Sequence, residues 1–103
     1  LITHVPSGRI PETYVLRQNY PNPFNSGTVI TFDAPSAENV EISVYNILGQ
    51  SVATVFRGMS QPGPNTARWN GTDDAGRNLA TGVYIYRLVT PSAVRSAKMV
   101  LLR

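Results

Sequence analysis

The sequence predicts an all-β fold, and three observations support this. Short segments in which apolar and polar residues alternate recur every 8 to 15 residues, roughly, as expected for half-buried strands. Eight glycines and eight prolines in 103 residues supply many turns. No segment has the periodicity of an amphipathic helix. About seven short antiparallel strands close most simply as two packed sheets, so we expect an immunoglobulin-like β-sandwich.

The first part of the chain predicts a lead-in, an edge strand and a proline-rich entry. Residues 1–12 contain two prolines and a glycine without periodicity, which is typical of a linker. Residues 12–18 are predicted to pair as a short edge strand. Residues 19–25 read NYPNPFN, and their two prolines prevent a helix or a strand interior. We expect Tyr20 and Phe24 to fix this entry to the core.

Alternation is clearest in the middle of the chain. Residues 28–35 and 40–45 are each predicted to form a half-buried strand. Residues 46–50 then turn the chain, with Gly49 suited to a positive φ, and residues 51–56 return as the second strand of a hairpin. The residues predicted to face the core from the first two strands are Ile30, Phe32, Ala34, Val40, Ile42 and Val44.

The second half of the chain predicts three more strands. Residues 57–65 are predicted as a loop, residues 66–70 as a short strand, and residues 70–78 as a glycine turn. Residues 82–90 are apolar on both faces, which favours a central strand. Residues 95–103 are predicted as the last strand. The residues predicted to face inward from the short strand and the last strand are Ala67, Trp69, Ala97, Met99 and Leu101.

Composition excludes several classes of function. The net charge is +3, but the basic residues are scattered singly, whereas nucleic-acid binding proteins cluster them. No cysteine is present, so disulfides and thiolate metal sites are excluded. No apolar run approaches the ~20 residues of a membrane-spanning helix. Because the first residue is Leu1, we expect the chain to be a piece of a longer protein.

The sequence contains no recognisable catalytic constellation. Its one histidine, His4, lies in the lead-in, and no serine occupies a Gly-x-Ser-x-Gly elbow. The carboxylates of Glu12, Asp33, Glu38 and Glu41 are spread over separate elements, so no pair for glycoside hydrolysis is visible. We therefore expect neither catalysis nor a cofactor.

Two clusters leave alternatives open. Asp73 and Asp74 are calcium candidates, because calcium prefers several convergent oxygens, but no glutamate closes an EF-hand loop here. Turn chemistry, in which Asn and Asp bond their own backbone, is the preferred interpretation. The second cluster consists of Trp69, Tyr84 and Tyr86. These aromatics could form a sugar-binding platform or pack in the core, and core packing is their more common role in a sandwich.

Four blocks in chain order add a family resemblance. They are LRQNYPNPFNSGTVITF, VEISVYNILGQSV, ARWNGTDDAGRNLATGVYIYRL and KMVLLR. Together they resemble the type A C-terminal sorting domain of the type IX secretion system, and they are also similar to the immunoglobulin-like domain of flagellar hook-capping proteins. The resemblance covers roughly residues 16–103.

The resemblance implies that the chain is a non-catalytic sorting signal. Residues 13–103 would be a monomeric sorting domain, attached through residues 1–12 to an upstream cargo domain. An outer-membrane translocon would recognise it after the cargo folds in the periplasm. A surface sortase would then remove it, leaving the cargo on the cell surface or in the medium.

The resemblance also implies site residues. Recognition is expected on the last strand, through its free edge and its basic ends, and the proline entry is expected to protect an edge of the sandwich. The candidate recognition residues are Lys98, Met99, Val100, Leu101, Leu102 and Arg103. The residues carried over as structural motif positions are Asn19, Tyr20, Pro21, Asn22, Pro23, Phe24, Asn25, Tyr45, Asn46, Gly49, Gln50, Trp69, Asn70, Gly71, Asp73, Gly82 and Tyr84.

Two other functions share this fold. A carbohydrate-binding or cell-attachment module of a glycoside hydrolase would show an exposed aromatic row, and a buried Trp69 would count against it. An immunoglobulin-like spacer would have a last strand that only packs into the core, with no exposed basic edge.

Overall fold

A computed structural model describes residues 10–103, so His4 and most of the predicted lead-in lie outside the described part. Its seven strands are β1 (Val15–Leu16), β2 (Thr28–Ala34), β3 (Asn39–Tyr45), β4 (Ser51–Met59), β5 (Gly63–Trp69), β6 (Gly82–Val89) and β7 (Val94–Leu101). No helix occurs in residues 10–103, and hence none that is long and apolar enough to cross a membrane. The all-β prediction is confirmed.

The strands form two antiparallel sheets. One has three strands in the order β1-β2-β5, and the other has four in the order β4-β3-β6-β7. Strand β6 is central, as its apolar sequence predicted, and β7 lies at the edge of the larger sheet. The predicted immunoglobulin-like sandwich is confirmed.

The core lies between the sheets and is filled by alternate residues. Every inward position predicted on β2 and β3 is buried, and so is Trp69 of β5. Trp69 contacts aromatic rings from two other parts of the chain: the ring centroid of Phe24 lies 5.7 Å away and that of Tyr84 lies 6.0 Å away. The core therefore includes one side chain from the proline entry.

One loop prediction is wrong. Most of residues 57–65 is strand, because β4 continues to Met59 and β5 begins at Gly63. Pairing of Met59 with Asn39 on β3 continues the ladder beyond the apolar residues. The buried Ser60 hydroxyl then donates to the carbonyl of Ser36 at 2.8 Å. Tertiary pairing thus overrides the loop propensity of glycine and serine.

The β3–β4 hairpin has the predicted glycine turn. Gly49 has φ 82°, a left-handed conformation that other residues adopt at a cost. The Asn46 side chain stabilises the turn, because its Oδ1 accepts hydrogen bonds from the N–H of Leu48 at 2.9 Å and of Gln50 at 3.0 Å. The apolar residues Ile47 and Leu48 are therefore held at the exposed tip.

Replacing Trp69 with alanine should lower the free energy of unfolding by about 3 to 5 kcal/mol, because the change leaves a cavity among aromatic rings. Urea denaturation measures this. The control is Tyr20→Ala, which removes an aromatic ring that is 80% exposed and should cost less than about 0.5 kcal/mol. Equal losses for the two variants would contradict the core assignment.

Candidate functional site

The candidate recognition segment begins on β7, whose side chains alternate as predicted. Met99 and Leu101 are fully buried, whereas Lys98 and Leu102 are exposed and Val100 is half-buried. The inward residues fix the strand to the core. The outward residues are available to another molecule.

The outer edge of β7 is covered from Lys98 onward by Gln18 and the proline entry. The Phe24 N–H donates to the carbonyl of Val100 at 3.0 Å, and the N–H of Leu102 donates to the carbonyl of Phe24 at 2.8 Å. The N–H of Val100 donates to Asn22 Oδ1 at 2.9 Å, and Gln18 Nε2 donates to the carbonyl of Lys98 at 2.7 Å. The expectation of a free strand edge here is therefore wrong, because these groups already have partners.

The proline entry was expected to protect an edge of the sandwich, and the same hydrogen bonds place it at one. It lies along the edge that would otherwise present unpaired backbone groups to other chains. Neither proline can donate a hydrogen bond, so the pairing is made by the backbone of Phe24 and the side chain of Asn22 instead. The peptide bonds before Pro21 and Pro23 are cis.

Asn19 anchors the start of the entry inside the protein. Its side chain is buried, and Nδ2 donates to Thr28 Oγ1 at 3.0 Å. Its backbone N–H donates to the hydroxyl of Tyr86 at 2.9 Å, and that hydroxyl donates to the carbonyl of Arg17 at 2.7 Å. Burial raises the pKa of Tyr86, so the hydroxyl keeps the proton that it donates.

The two aromatics of the entry have different roles. Phe24 is buried against Trp69, as predicted, but Tyr20 is 80% exposed. Tyr20 forms an isolated bridge with Val29 through its backbone. Since neighbouring residues in extended chain point to opposite sides, the inward Asn19 directs Tyr20 toward solvent. The expectation that Tyr20 reaches the core is wrong.

Arg103 connects three of the four sequence blocks. Its guanidinium donates to the carbonyls of Leu79 at 3.0 Å and Asn25 at 3.2 Å, and also to the carbonyl of Gly71. A Cβ at Gly71, whose φ is 79°, would lie 2.8 Å from the Arg103 guanidinium. Arg103 is exposed as predicted, but its guanidinium already donates hydrogen bonds to backbone carbonyls of the same chain.

The other motif residues fall into separate regions. Tyr45, Asn46, Gly49 and Gln50 belong to the β3–β4 hairpin, which is not part of the covered edge. The remaining motif residues are in the core or the turn before β6: Trp69 and Tyr84 are buried, Asn70 is exposed, and Gly82 begins β6. Because Trp69, Tyr84 and Tyr86 are all buried, they form no sugar-binding platform.

The Asp73–Asp74 turn uses its carboxylates for hydrogen bonds. Asp73 Oδ1 accepts from the N–H of Ala75 and of Arg77, both at 2.9 Å, and Asp73 Oδ2 pairs with Arg77 Nε at 3.0 Å. Asp74 Oδ1 accepts from the N–H of Thr54 on β4 at 2.8 Å. Across residues 10–103, no group of three or more His, Cys, Asp or Glu could hold a metal ion.

Sequence reasoning missed two residues of the edge arrangement. Gln18 covers the Lys98 carbonyl, and Tyr86 holds Asn19. The sequence signal for Gln18 was its position directly before the NYPNPFN segment. For Tyr86 no local signal existed, since its partners are 67 and 69 positions away in sequence.

Residues 18–93 match the family model of the FlgD Ig-like domain. The chain belongs to this family. The match confirms the predicted similarity to the immunoglobulin-like domain of hook-capping proteins. No curated protein matches the chain.

Two solved structures share the fold. Dimeric latent PorU from Porphyromonas gingivalis superposes with a TM-score of 0.73 and 22% identity, over 92% of this chain and 10% of that one. PorZ, described as an essential bacterial surface component of the type IX secretion system of Porphyromonas gingivalis, superposes with a TM-score of 0.57 and 18% identity, over 84% of this chain and 11% of that one. The chain therefore spans about a tenth of each.

Replacing Asp73 with asparagine should destabilise the fold in a pH-dependent way. A hydrogen bond from the backbone of Arg77 lowers the pKa of Asp73 below its ordinary value of 3.8. The charge therefore stabilises the folded state above that value, and the stabilisation is lost as the pH falls through the lowered folded-state pKa. In thermal unfolding, the Tm difference from the wild type should shrink below pH 3.8. A Tm difference that stays constant with pH, or that equals that of the exposed Glu12→Gln, would refute this role for Asp73.

Calcium should leave the Tm unchanged. Asp73 and the Oδ1 atom of Asp74 already accept hydrogen bonds, so a cation would have to displace them. Differential scanning calorimetry in excess EDTA and in added calcium tests this expectation. A calcium-dependent rise in Tm would overturn it, because a ligand that binds only the folded state stabilises it.

Proposed function

We propose that the chain is a non-catalytic sorting domain that directs an attached cargo protein through the type IX outer-membrane translocon to the cell surface or the medium. The observation that carries the proposal is the fold that it shares with PorZ, which is described as a surface component of that secretion system. The four sequence blocks support the same role.

The domain arrangement belongs to the proposal. Residues 13–103 act as the sorting domain and residues 1–12 as a linker from an upstream cargo domain. The domain works as a monomer, passes through the periplasm, and is recognised by the translocon and then by a surface sortase.

The covered edge changes which groups a translocon can contact. Strand addition to Lys98–Leu102 would require the proline entry to leave its hydrogen bonds. The side chains of Lys98 and Leu102 point outward and are exposed. Leu102 also borders a groove of about 260 Å³ that is formed by the proline entry and the two residues after it. Recognition is therefore proposed to use side chains at this end of the sandwich.

An immunoglobulin-like spacer is the second candidate. The observation that favours it is that Met99 and Leu101 pack fully into the core while the strand edge beside them is covered. The exposed Lys98 favours recognition over a spacer. The carbohydrate-binding alternative has no such support, because Trp69 is buried.

Surface delivery of a reporter tests the proposed function. The 103-residue chain is fused to a folded periplasmic reporter in a bacterium that has the type IX system. The intact chain should carry the reporter to the cell surface. Lys98→Ala/Leu102→Ala should reduce delivery by about tenfold, as expected from a loss of about 1.4 kcal/mol of binding free energy.

The matched control is Arg68→Ala/Val94→Ala, which also removes one exposed cation and one exposed apolar side chain. This control should be delivered like the wild type. Failure of the intact chain to deliver the reporter would refute the sorting function. Normal delivery of Lys98→Ala/Leu102→Ala would instead leave sorting intact and refute recognition by these two side chains.

A further inference from the structure

A groove on the outer face of the four-stranded sheet shares only Lys98 with the side chains proposed above for recognition. It holds about 390 Å³ and lies between the tip of the β3–β4 hairpin and the outward side chains of β6 and β7. The lining residues that define it here are Tyr45, Ile47, Val83, Ile85, Arg87 and Lys98, and this set is called the outer-face groove. The residues of its floor and its charged side chains each indicate which chemical groups a partner would present.

The floor of the outer-face groove is apolar on β3 and β6 and ends at Lys98 on β7. The register places Tyr45 beside Ile85, and Ile85 beside Lys98. Cross-strand neighbours share one face of a sheet, so these side chains form a row. Val83 is 39% exposed and Ile47 is 77% exposed, which are large values for aliphatic side chains. Exposed apolar side chains that adjoin one another are candidates for contact with a partner.

The floor is also held in place before any partner arrives. Ile47 lies on the turn that Asn46 stabilises through the N–H of Leu48 and of Gln50. The Arg87 guanidinium carbon lies 5.0 Å from the centroid of the Tyr45 ring, so a cation–π contact orients both side chains. An apolar surface that is already ordered loses little conformational entropy on binding.

The charge of the outer-face groove is positive. Arg87 and Lys98 line it, and none of its lining residues carries a carboxylate. Glu41 lies on the same face, but it pairs with Arg57 at 3.3 Å. A second copy of the chain docked symmetrically would bring like charges together, which disfavours self-association. A partner with carboxylates beside apolar side chains complements both properties.

We propose that the outer-face groove binds a segment of a partner protein in which acidic residues flank apolar residues. The apolar side chains lie on Tyr45, Val83 and Ile85, and the carboxylates pair with Arg87 and Lys98. This binding is a property of the chain itself and does not depend on export.

Titration with defined peptides tests the inference on the 103-residue chain, labelled with nitrogen-15. The probe is a fluorescein-labelled peptide with two leucines between pairs of glutamates, and the matched probe has lysine in place of each glutamate. We expect saturable amide shifts at the outer-face groove with the acidic peptide only. Arg87→Gln/Lys98→Gln should weaken binding by about tenfold, and added salt should weaken it further.

Arg68→Gln is the control variant, because Arg68 is an exposed cation on the other sheet. It should bind the acidic peptide like the wild type, and dispersed amide spectra should show that every variant is folded. Several results would overturn the inference: no saturable binding, equal binding of the lysine peptide, shifts outside the groove, or no loss in Arg87→Gln/Lys98→Gln. Dimerisation through the groove in sedimentation equilibrium, or tighter binding to phosphatidylglycerol vesicles than to the peptide, would also overturn it.

Discussion

The pairing of Phe24 with the edge of β7 is the contact on which the rest of this end of the sandwich depends. The backbone of Phe24 uses both its N–H and its carbonyl on β7, while its ring fills the core against Trp69. This position of the chain brings the carbonyl of Asn25 to the guanidinium of Arg103, which also contacts Gly71. Phe24 thus covers part of the β7 edge with its backbone and fills the core with its ring. Its position also places the loops around Arg103.

The opposite edge of the same sheet is covered in a similar way near the start of β4. At β4, Asp74 Oδ1 accepts the N–H of Thr54 and the N–H of Asp74 donates to the carbonyl of Val52. At β7, Asn22 Oδ1 accepts the N–H of Val100. In both places a loop side chain satisfies a backbone donor that would otherwise recruit another chain. Asn22 and Asp74 therefore act on a strand edge, whereas Asn46 and Asp73 bond within their own turns.

The alternation of apolar and polar residues predicted the strands, the two sheets and the buried faces of β2 and β3. In a half-buried strand every second side chain faces the core, so every second residue is apolar. Alternation failed at residues 57–65, where pairing with β3 rather than side-chain pattern keeps the chain extended. The expected burial of Tyr20 did not rest on alternation, and it is wrong because a tyrosine 67 positions away anchors Asn19 on the inner side. The covered edge was missed for the same reason: the hydrogen bonds join residues 76 to 80 positions apart.

The covered parts of the two edges restrict strand addition to the larger sheet. Strand addition relies on unpaired backbone groups and is tolerant of sequence, because main-chain hydrogen bonds supply the affinity. Where Asn22, Phe24 and Asp74 already occupy those groups, a partner would have to displace them at a cost in free energy. Side chains on the exposed face carry no such cost. Lys98 belongs both to the end of the sandwich beside the proline entry and to the outer-face groove, so binding there would be selective by charge and sensitive to salt.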